Sequence, residues 1–294
     1  MDHFIKSFLE SLVLEQGRSQ NTASAYKMDL NQFDDFLSSS GFEPTDWAEV
    51  SAQDVDDYKT HLRRRELTEN SVSRKVSAIK SFFSYLAGEG IIGRAVLEGV
   101  ETPPRNRAKP KFLSEQEINS LIEQTQKGNS PLEIRNRAMV ELAYASGLTS
   151  NELVSLNLQD IHTHEGYLLC DGKYDRNRRI PVHDQACAAV LAYIENSRPF
   201  FAKKSQDKRG KALFLNLSGE RMTRQGFWLV LKNLVRAAGL AEDISPRTLR
   251  QSFAAHLING GAPVKEVQSL LGHAERTTVY YTKEAHPRAK VEIN

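Results

Sequence analysis

A basic, proline-containing segment divides this chain into two parts of different character. Residues Thr102 to Phe112 read TPPRNRAKPKF, with three prolines, four cations and almost no apolar side chain. Proline fixes φ and removes a backbone donor, so this run continues neither a helix nor a strand. Because the chain has 294 residues, each part is long enough to bury its own core. We therefore predict two domains, residues 1–101 and 113–294, joined by an exposed linker over residues 102–112.

The first part is predicted to be entirely helical, up to about Gly99. Apolar residues recur at helical spacing in two runs, one from Tyr26 to Leu37 and the other from Val72 to Leu86. Residues typical of helix ends flank these runs, and the expected caps and stop are Asn21 or Thr22, Asn70 and Gly88.

The second part combines helices with a small antiparallel sheet. Ser114 and Glu117 have the spacing of a capping box, and a long helix from about Pro131 is expected to close at Gly147. The runs GYLLC and RRIPV flank DGKYDRN and predict a β-hairpin, and ALFLN is a candidate third strand. Thr223 is expected to cap a further helix. The aromatic residues expected in the core are Phe227, Trp228 and Phe253.

Composition narrows the class of protein. A formal net charge of +2 gives little overall attraction to nucleic acid, so any basic surface must be local. No apolar run is long enough to span a bilayer, and the start MDHFIKSFLE does not resemble a secretion signal. Cys170 and Cys187 are too few for a disulfide framework and lack metal-ligand spacing. We expect two buried thiols in the reduced cytoplasm.

The start of one helix near the C-terminus has the features of an anion site. Ser245 and Pro246 are typical of an N-cap and a first-turn proline. Arg247 and Arg250 then lie three residues apart on one face. Cations here oppose the helix dipole, whereas a bound anion would meet free N–H groups and two guanidinium groups. This pattern predicts a phosphate clamp.

Six segments, in this order along the chain, resemble the Xer-type tyrosine recombinases, which are site-specific DNA strand-exchange enzymes of bacteria. They are NTASAYKMDLNQFDDFL, NSVSRKVSAIKSFFSYLAGEG, RNRAMVELAYASGLTSNELVSLNLQDI, GK at 172–173, LRQSFAAHL and QSLLGH. The resemblance covers nearly the whole chain. It implies a mainly α fold, with an all-helical, SAM-like core-binding domain followed by an α+β catalytic domain with a small antiparallel sheet.

The resemblance also implies a chemistry that needs no metal and no small-molecule cofactor. Arg250 matches a family arginine that holds a non-bridging phosphate oxygen. Lys173 matches the lysine that serves as general acid, and His273 the histidine that bonds the phosphate. Tyr281 is the expected nucleophile, and Tyr280 is the alternative.

Three features depart from the family pattern: two substitutions, and a short tail after Tyr281 that lacks the helix usual in the family. Thr149 stands where the family has its first phosphate arginine, and Arg247 stands where it has histidine or lysine. Arginine keeps a phosphate contact but cannot transfer a proton. We hypothesise that Arg247 partly replaces the charge missing at Thr149. Arg135 and Arg137 begin the preceding helix, which would carry them away from the site, so they are not expected to substitute.

The expected partner is double-stranded DNA. The resemblance implies four protomers on a roughly palindromic site, alone or with a second recombinase, in chromosome-dimer resolution or in integration and excision of mobile elements. The linker cations either follow DNA phosphates or form a solvated tether. The candidate DNA-contacting residues are Arg74, Lys75, Arg105, Arg107, Lys109 and Lys111.

Two other functions stay open. One is an accessory DNA-binding protein that has lost cleavage, which Thr149 and the short tail after Tyr281 favour. The other is a helical interaction protein without a DNA role. That second function leaves unexplained why Arg247, Arg250 and Lys173 all match phosphate-handling positions.

Overall fold

The computed structural model describes residues 2–39, 47–104, 111–170, 178–205 and 210–272. The chain forms two compact units, residues 1–108 and 109–294. No helix in the described ranges is both long and apolar enough to cross a membrane.

All regular secondary structure in the described residues of the first unit is helical. A single 3₁₀ turn, Trp47–Glu49, precedes α3, and the α-helices are α1 Asp2–Leu14, α2 Gln20–Ser39, α3 Ala52–Arg64, α4 Glu69–Gly88 and α5 Arg94–Gly99. The sequence misplaces two helix starts. The cap of α4 is Thr68 rather than Asn70, because the Thr68 hydroxyl accepts the Ser71 N–H. Helix α2 begins at Gln20, and the Ser19 hydroxyl accepts the Thr22 N–H.

Aromatic side chains fill the core of the first unit. The Phe33 and Tyr58 rings are 5.1 Å apart, and Trp47 meets Phe82 edge to face at 4.9 Å. The apolar positions predicted from helical spacing lie in this core, and the fully buried ones are Leu30, Phe33, Leu37, Val72, Val76, Ile79, Phe83 and Leu86. Burial of one apolar stripe on each helix therefore holds this unit together.

The second unit adds eight helices within its described residues. They are α6 Glu115–Thr125, α7 Pro131–Ser146, α8 Ser150–Ser155, α9 Asp184–Ala192, α10 Arg198–Ala202, α11 Arg224–Ala237, α12 Pro246–Asn259 and α13 Val264–Leu271. A π-helical turn, Tyr193–Ser197, joins α9 to α10. The predicted caps at Ser114, Thr223 and Ser245 are confirmed, as is the closing of α7 at Gly147 with φ 60°.

A three-stranded antiparallel sheet lies in this unit, and its third strand is not the predicted one. The order is β1 Ile161–His162, β2 Tyr167–Cys170 and β3 Arg178–Pro181, with Cys170 opposite Arg178. The run ALFLN forms only isolated bridges, from Ala212 to Asn157 and from Leu215 to Arg221. The Leu213 N–H donates to Leu156, so this run pairs with the chain after α8 instead of with the hairpin.

Helix α7 runs through the core of the second unit. Its buried residues include Ala138, Met139 and Leu142. The core prediction is confirmed for Phe227 and Phe253 but is wrong for Trp228, which is 45% exposed. Adjacent residues of a helix point about 100° apart, so Phe227 takes the core face and Trp228 the surface.

Candidate active site

Arg250 lies in the first half of α12 and binds three separate parts of the second unit. Its side chain is 10% exposed. Nη1 donates to the Gly147 carbonyl at 2.6 Å and approaches Glu152 Oε2 at 3.3 Å, and Nη2 donates to the Leu271 carbonyl at 2.6 Å. The Ser245 cap and Pro246 set where α12 begins and thereby aim this side chain. The guanidinium group is held before any ligand binds.

A second guanidinium group, that of Arg178 at the start of β3, binds two of the same partners. Nη1 donates to the Leu271 carbonyl at 2.7 Å, and Nη2 donates to Glu152 Oε1 at 2.7 Å. Nη2 also lies 3.4 Å from Cys170 Sγ, across the β2–β3 pair. We call Glu152, Arg178, Arg250 and the Leu271 carbonyl the arginine cluster.

Glu152 joins the two arginines and also caps α8. Its carboxylate accepts the Thr149 N–H at 2.8 Å, and the Thr149 hydroxyl accepts the Glu152 N–H at 3.2 Å. Thr149 is thus the N-cap of α8 in a complete capping box. Burial raises the pKa of the Glu152 carboxyl, but the Thr149 N–H and the charges of Arg178 and Arg250 outweigh burial and lower the pKa overall. With one anion between two cations, the cluster carries a net positive charge.

Two glycines let the backbone approach these groups closely. Gly272 has φ 63°, and a Cβ there would lie 1.8 Å from Arg178 Nη1. Gly147 has φ 60°, and a Cβ there would lie 2.3 Å from Phe253 Cδ1. Only glycine adopts this backbone without strain and leaves room for its neighbours. Gly272 is the residue before His273, so the close approach occurs next to a predicted site residue.

Acid should weaken the second unit through Glu152. Because its folded-state pKa is lowered, its contribution is complete above the unfolded carboxyl pKa of about 4.3 and is lost as pH falls through the lower folded value. Replacing Glu152 with Gln should lower stability at pH 7 by about 1–3 kcal/mol and make the acid-induced loss less steep. Thermal unfolding measured from about pH 3 to about pH 7, an interval that spans the titration of carboxyl groups, tests both effects.

Glu133→Gln is the matched control for that prediction. Glu133 closes an equivalent capping box with Ser130, but it is exposed and pairs with no arginine among the described residues. It should lose much less stability than Glu152→Gln at neutral pH. Equal losses in the two variants would show that the capping box, and not the arginine cluster, accounts for the effect of Glu152.

The structure brings two of the predicted site positions together and leaves four outside its described residues. Thr149 and Arg250 share Glu152 as a partner. Arg247 lies one turn before Arg250, is exposed, and makes no hydrogen bond or ion pair with the described parts of the chain. The positions outside the described residues are Lys173, His273, Tyr280 and Tyr281. Arg135 packs over Phe201 and donates to the Leu215 carbonyl.

The candidate DNA-contacting residues divide in a similar way. Arg105, Arg107 and Lys109 lie outside the described residues. Lys111 Nζ pairs with Asp243 at 2.6 Å, and this hydrogen bond lowers the pKa of the Asp243 carboxyl.

The other two candidates lie on α4. Lys75 is 5% exposed, and its ammonium group is bonded to Asp29 at 3.0 Å and to Gln32. Lys75 therefore has a role inside the first unit, because its charge is compensated by the buried Asp29 carboxylate. Arg74 also pairs with Asp29 but keeps 47% of its side chain exposed. A DNA contact on this helix stays a prediction for Arg74.

The sequence interpretation missed Glu152 and Arg178. Thr149 and Glu152 have the T-x-x-E spacing of a capping box, so the carboxylate could have been placed beside Thr149 from the sequence. Strand alternation places Arg178 on the same face as Ile180 and Val182, and Arg179 on the opposite face, so the more enclosed arginine could have been chosen from the sequence. Its partners could not, because they lie on α8 and α13. Within the described ranges, no group of three His, Cys, Asp or Glu side chains could hold a metal ion.

This geometry can serve a reaction at an anionic centre. Fixed guanidinium groups in a partly water-excluded site stabilise developing negative charge without reorganising. Arg247 adds an exposed cation one turn away, near the free N–H groups that begin α12.

Two family models match this chain. "Phage integrase family" matches residues 111–288, and "Phage integrase, N-terminal SAM-like domain" matches residues 5–90. Among curated proteins, the chain is 39% identical over 287 residues to "Tyrosine recombinase XerC" of Roseiflexus sp. (strain RS-1), covering 97% of this chain and 90% of that protein. It is 38% identical over 291 residues to "Tyrosine recombinase XerD" of Oceanobacillus iheyensis, covering 99% and 96%.

Solved structures show the same fold. A XerH site-specific recombinase bound to a palindromic difH substrate aligns with TM-score 0.72 and 19% identity, covering 97% of this chain and 92% of that chain. A lambda integrase dimer bound to a COC' core site also aligns with TM-score 0.72, at 15% identity, covering 100% and 99%. The predicted fold class, a helical SAM-like domain followed by an α+β domain with a small antiparallel sheet, is confirmed. With both family models matched and relatives similar over nearly their full length, the chain belongs to the phage integrase family of tyrosine recombinases.

Proposed function

We propose that this protein is a site-specific DNA recombinase that cuts and rejoins DNA strands through a 3′-phosphotyrosyl intermediate. The observation that carries the proposal is the arginine cluster. It places Arg250 in a fixed, net positive site beside the N-cap of α8, in a chain that resembles tyrosine recombinases from end to end. The proposed reaction partner is the phosphodiester backbone of duplex DNA.

In the proposed reaction, the Tyr281 oxygen attacks the scissile phosphorus and the 5′ oxygen of the next nucleotide leaves. One P–O bond forms and one breaks, so the phosphodiester is conserved and can be transferred to a partner strand. Arg250 and Arg247 would stabilise the charge on the non-bridging oxygens. His273 would bond the phosphate and assist the nucleophile by accepting the Tyr281 hydroxyl proton. Lys173 would protonate the leaving 5′ oxygen.

The assembly and the cellular role are further parts of this proposal. We propose that four protomers act on one pair of DNA sites, either as a homotetramer or together with a second recombinase, in the cytoplasm. The process would be chromosome-dimer resolution, or integration and excision of a mobile element. Support comes from the curated relatives, which are named as XerC and XerD recombinases.

A second candidate function is an accessory DNA-binding protein with impaired cleavage. One observation favours it. Thr149 stands at the position of the family's first arginine. Its hydroxyl caps α8, and its side chain brings no charge to the site. Loss of one oxyanion donor typically reduces a rate by about 10²–10³. The two candidates therefore predict the same DNA binding but different rates of strand cleavage.

Trapping the covalent intermediate separates the two functions. Nicked suicide DNA sites are incubated with the protein, and a protein–DNA adduct is sought on a denaturing gel. We expect an adduct with the parent chain and with Tyr280→Phe, and none with Tyr281→Phe, because a phenyl ring has no attacking oxygen.

Each of the other outcomes has a defined meaning. An adduct that persists in Tyr281→Phe and disappears in Tyr280→Phe would identify Tyr280 as the nucleophile. Salt-dependent DNA binding by the parent chain without any adduct would contradict the enzyme and support the accessory function.

A further inference from the structure

We propose that Arg178 is a positioning residue for strand cleavage, which holds the end of α13 in register with Arg250; this inference rests on the proposed function. Arg178 would not touch the phosphate. It would act through Arg250 and through the backbone that leads from Leu271 and Gly272 into His273.

The first support is that Arg178 and Arg250 share two acceptors, while Arg250 also donates to the Gly147 carbonyl. The Leu271 carbonyl accepts from Arg178 Nη1 at 2.7 Å and from Arg250 Nη2 at 2.6 Å. The two oxygens of Glu152 divide between the same two guanidinium groups. Neither arginine can shift without disturbing an acceptor of the other. The position of Arg250 therefore depends on Arg178.

The second support is the place where the shared carbonyl lies. Leu271 is the last residue of α13, where backbone carbonyls lack partners within the helix and the dipole favours cations. Gly272 follows with φ 63°, and its missing Cβ gives Arg178 Nη1 its room. Arg178 thus binds the backbone two residues before His273, at the point where the chain leaves the helix.

The third support is that Arg178 also lies at the base of the β2–β3 hairpin. It pairs with Cys170 in the strand register, and its Nη2 lies 3.4 Å from Cys170 Sγ. In the sequence, Lys173 lies between these two residues. The Arg178 side chain therefore lies next to the segment that carries Lys173 and also contacts the backbone that precedes His273. Through shared acceptors it is linked to Arg250.

The donors of Arg178 are directed at the protein itself. Its side chain is 13% exposed, and both Nη atoms donate to groups of the second unit. Its Nε is buried and has no hydrogen-bond partner among the described residues. A buried donor without a partner costs free energy, so the two Nη contacts must hold the guanidinium group in place.

The test compares Arg178→Gln with Arg179→Gln in the full chain. Arg179 is the matched control, because it is the next residue of β3, is exposed, and lies over the Tyr167 ring at 3.8 Å. We expect Arg178→Gln to slow adduct formation on suicide DNA sites by about 10²-fold, as misplaced reacting groups do. DNA affinity should stay unchanged in both variants, and Arg179→Gln should cleave at the parent rate.

A second measurement does not depend on cleavage. Hydrogen exchange of backbone amides in residues 264–272 should become faster in Arg178→Gln by about tenfold or more, the effect of losing one charge-assisted hydrogen bond. It should not change in Arg179→Gln. Arg178→Lys provides a milder variant, which keeps the charge but cannot bridge Glu152 and the Leu271 carbonyl with a planar fork. We expect this variant to cleave at an intermediate rate.

The outcomes distinguish this inference from the proposed function. If the parent chain forms no adduct, the proposed function fails. In that case the positioning role is tested separately, and it is overturned if backbone amide hydrogen exchange in residues 264–272 is the same in Arg178→Gln as in the parent. If the parent forms an adduct, equal cleavage rates in Arg178→Gln and the parent overturn it. Full activity of Arg178→Lys would also overturn it, because charge alone would then suffice.

Discussion

Replacing Thr149 with arginine is expected to accelerate strand cleavage by about 10²–10³, the usual effect of one well-placed oxyanion donor. Thr149 begins α8 beside Glu152, which contacts Arg250 at 3.3 Å, so a guanidinium group from this position has a short path to the same phosphate. The change also removes the hydroxyl that caps α8, at a cost of about 0.5–2 kcal/mol in stability. The rate of adduct formation and the melting temperature would be measured on the same preparations.

Thr149→Ser is the control for this prediction, because serine keeps the capping hydroxyl and adds no charge. It should cleave at the parent rate and melt at nearly the parent temperature. A folded Thr149→Arg variant that cleaves no faster than the parent would contradict the view that a missing charge limits the reaction.

The same variant tests the hypothesis about Arg247. If Arg247 partly replaces the missing charge, Arg247→Ala should slow cleavage more in the parent than in Thr149→Arg. The structure leaves Arg247 exposed and without a partner in the described part of the chain, as such a role requires. An Arg247→Ala variant that binds and cleaves DNA as well as the parent would remove the hypothesis.

Replacing Gly272 with alanine is expected to disrupt the arginine cluster. The new Cβ would lie 1.8 Å from Arg178 Nη1 and 2.9 Å from its Cζ, so the guanidinium group would have to leave its acceptors. The backbone at φ 63° adds strain of about 1–2 kcal/mol for a residue with a Cβ. We expect adduct formation to fall by about 10²-fold, because the Leu271 carbonyl and the Arg250 guanidinium group would shift relative to each other.

Gly239→Ala separates strain from steric contact. Gly239 follows α11 with φ 66°, close to the value at Gly272, but a Cβ there meets nothing within 4 Å. It should lose a similar amount of stability from the backbone and keep the parent cleavage rate. Combining Gly272→Ala with Arg178→Gln should cost little more than either change alone, because both act through one contact. Additive effects would contradict that coupling.

Local patterns predicted many elements of the fold correctly. Helical spacing identified the buried stripes from Leu30 to Leu37 and from Val72 to Leu86. The caps Ser114, Thr223 and Ser245 were predicted at the correct residues. These features depend on hydrogen bonds and side chains within about four residues of each other, which a single sequence displays directly.

Errors arose where a residue's environment depends on distant parts of the chain. Lys75 is buried because Asp29, far away in the sequence, supplies a buried carboxylate. The run ALFLN pairs with residues after α8 and not with the hairpin. In each case the competing partner lies outside any local window.

The candidate site divides in the same way. By itself, the sequence determined that Arg250 lies at the start of a capped helix, near Arg247, and that Thr149 brings no charge where a cation was expected. Only the tertiary structure decided that Arg250 and Arg178 meet at one carboxylate and one carbonyl. The physical reason is that periodicity and capping are local, whereas the meeting of β3, α8, α12 and α13 depends on how the whole unit packs.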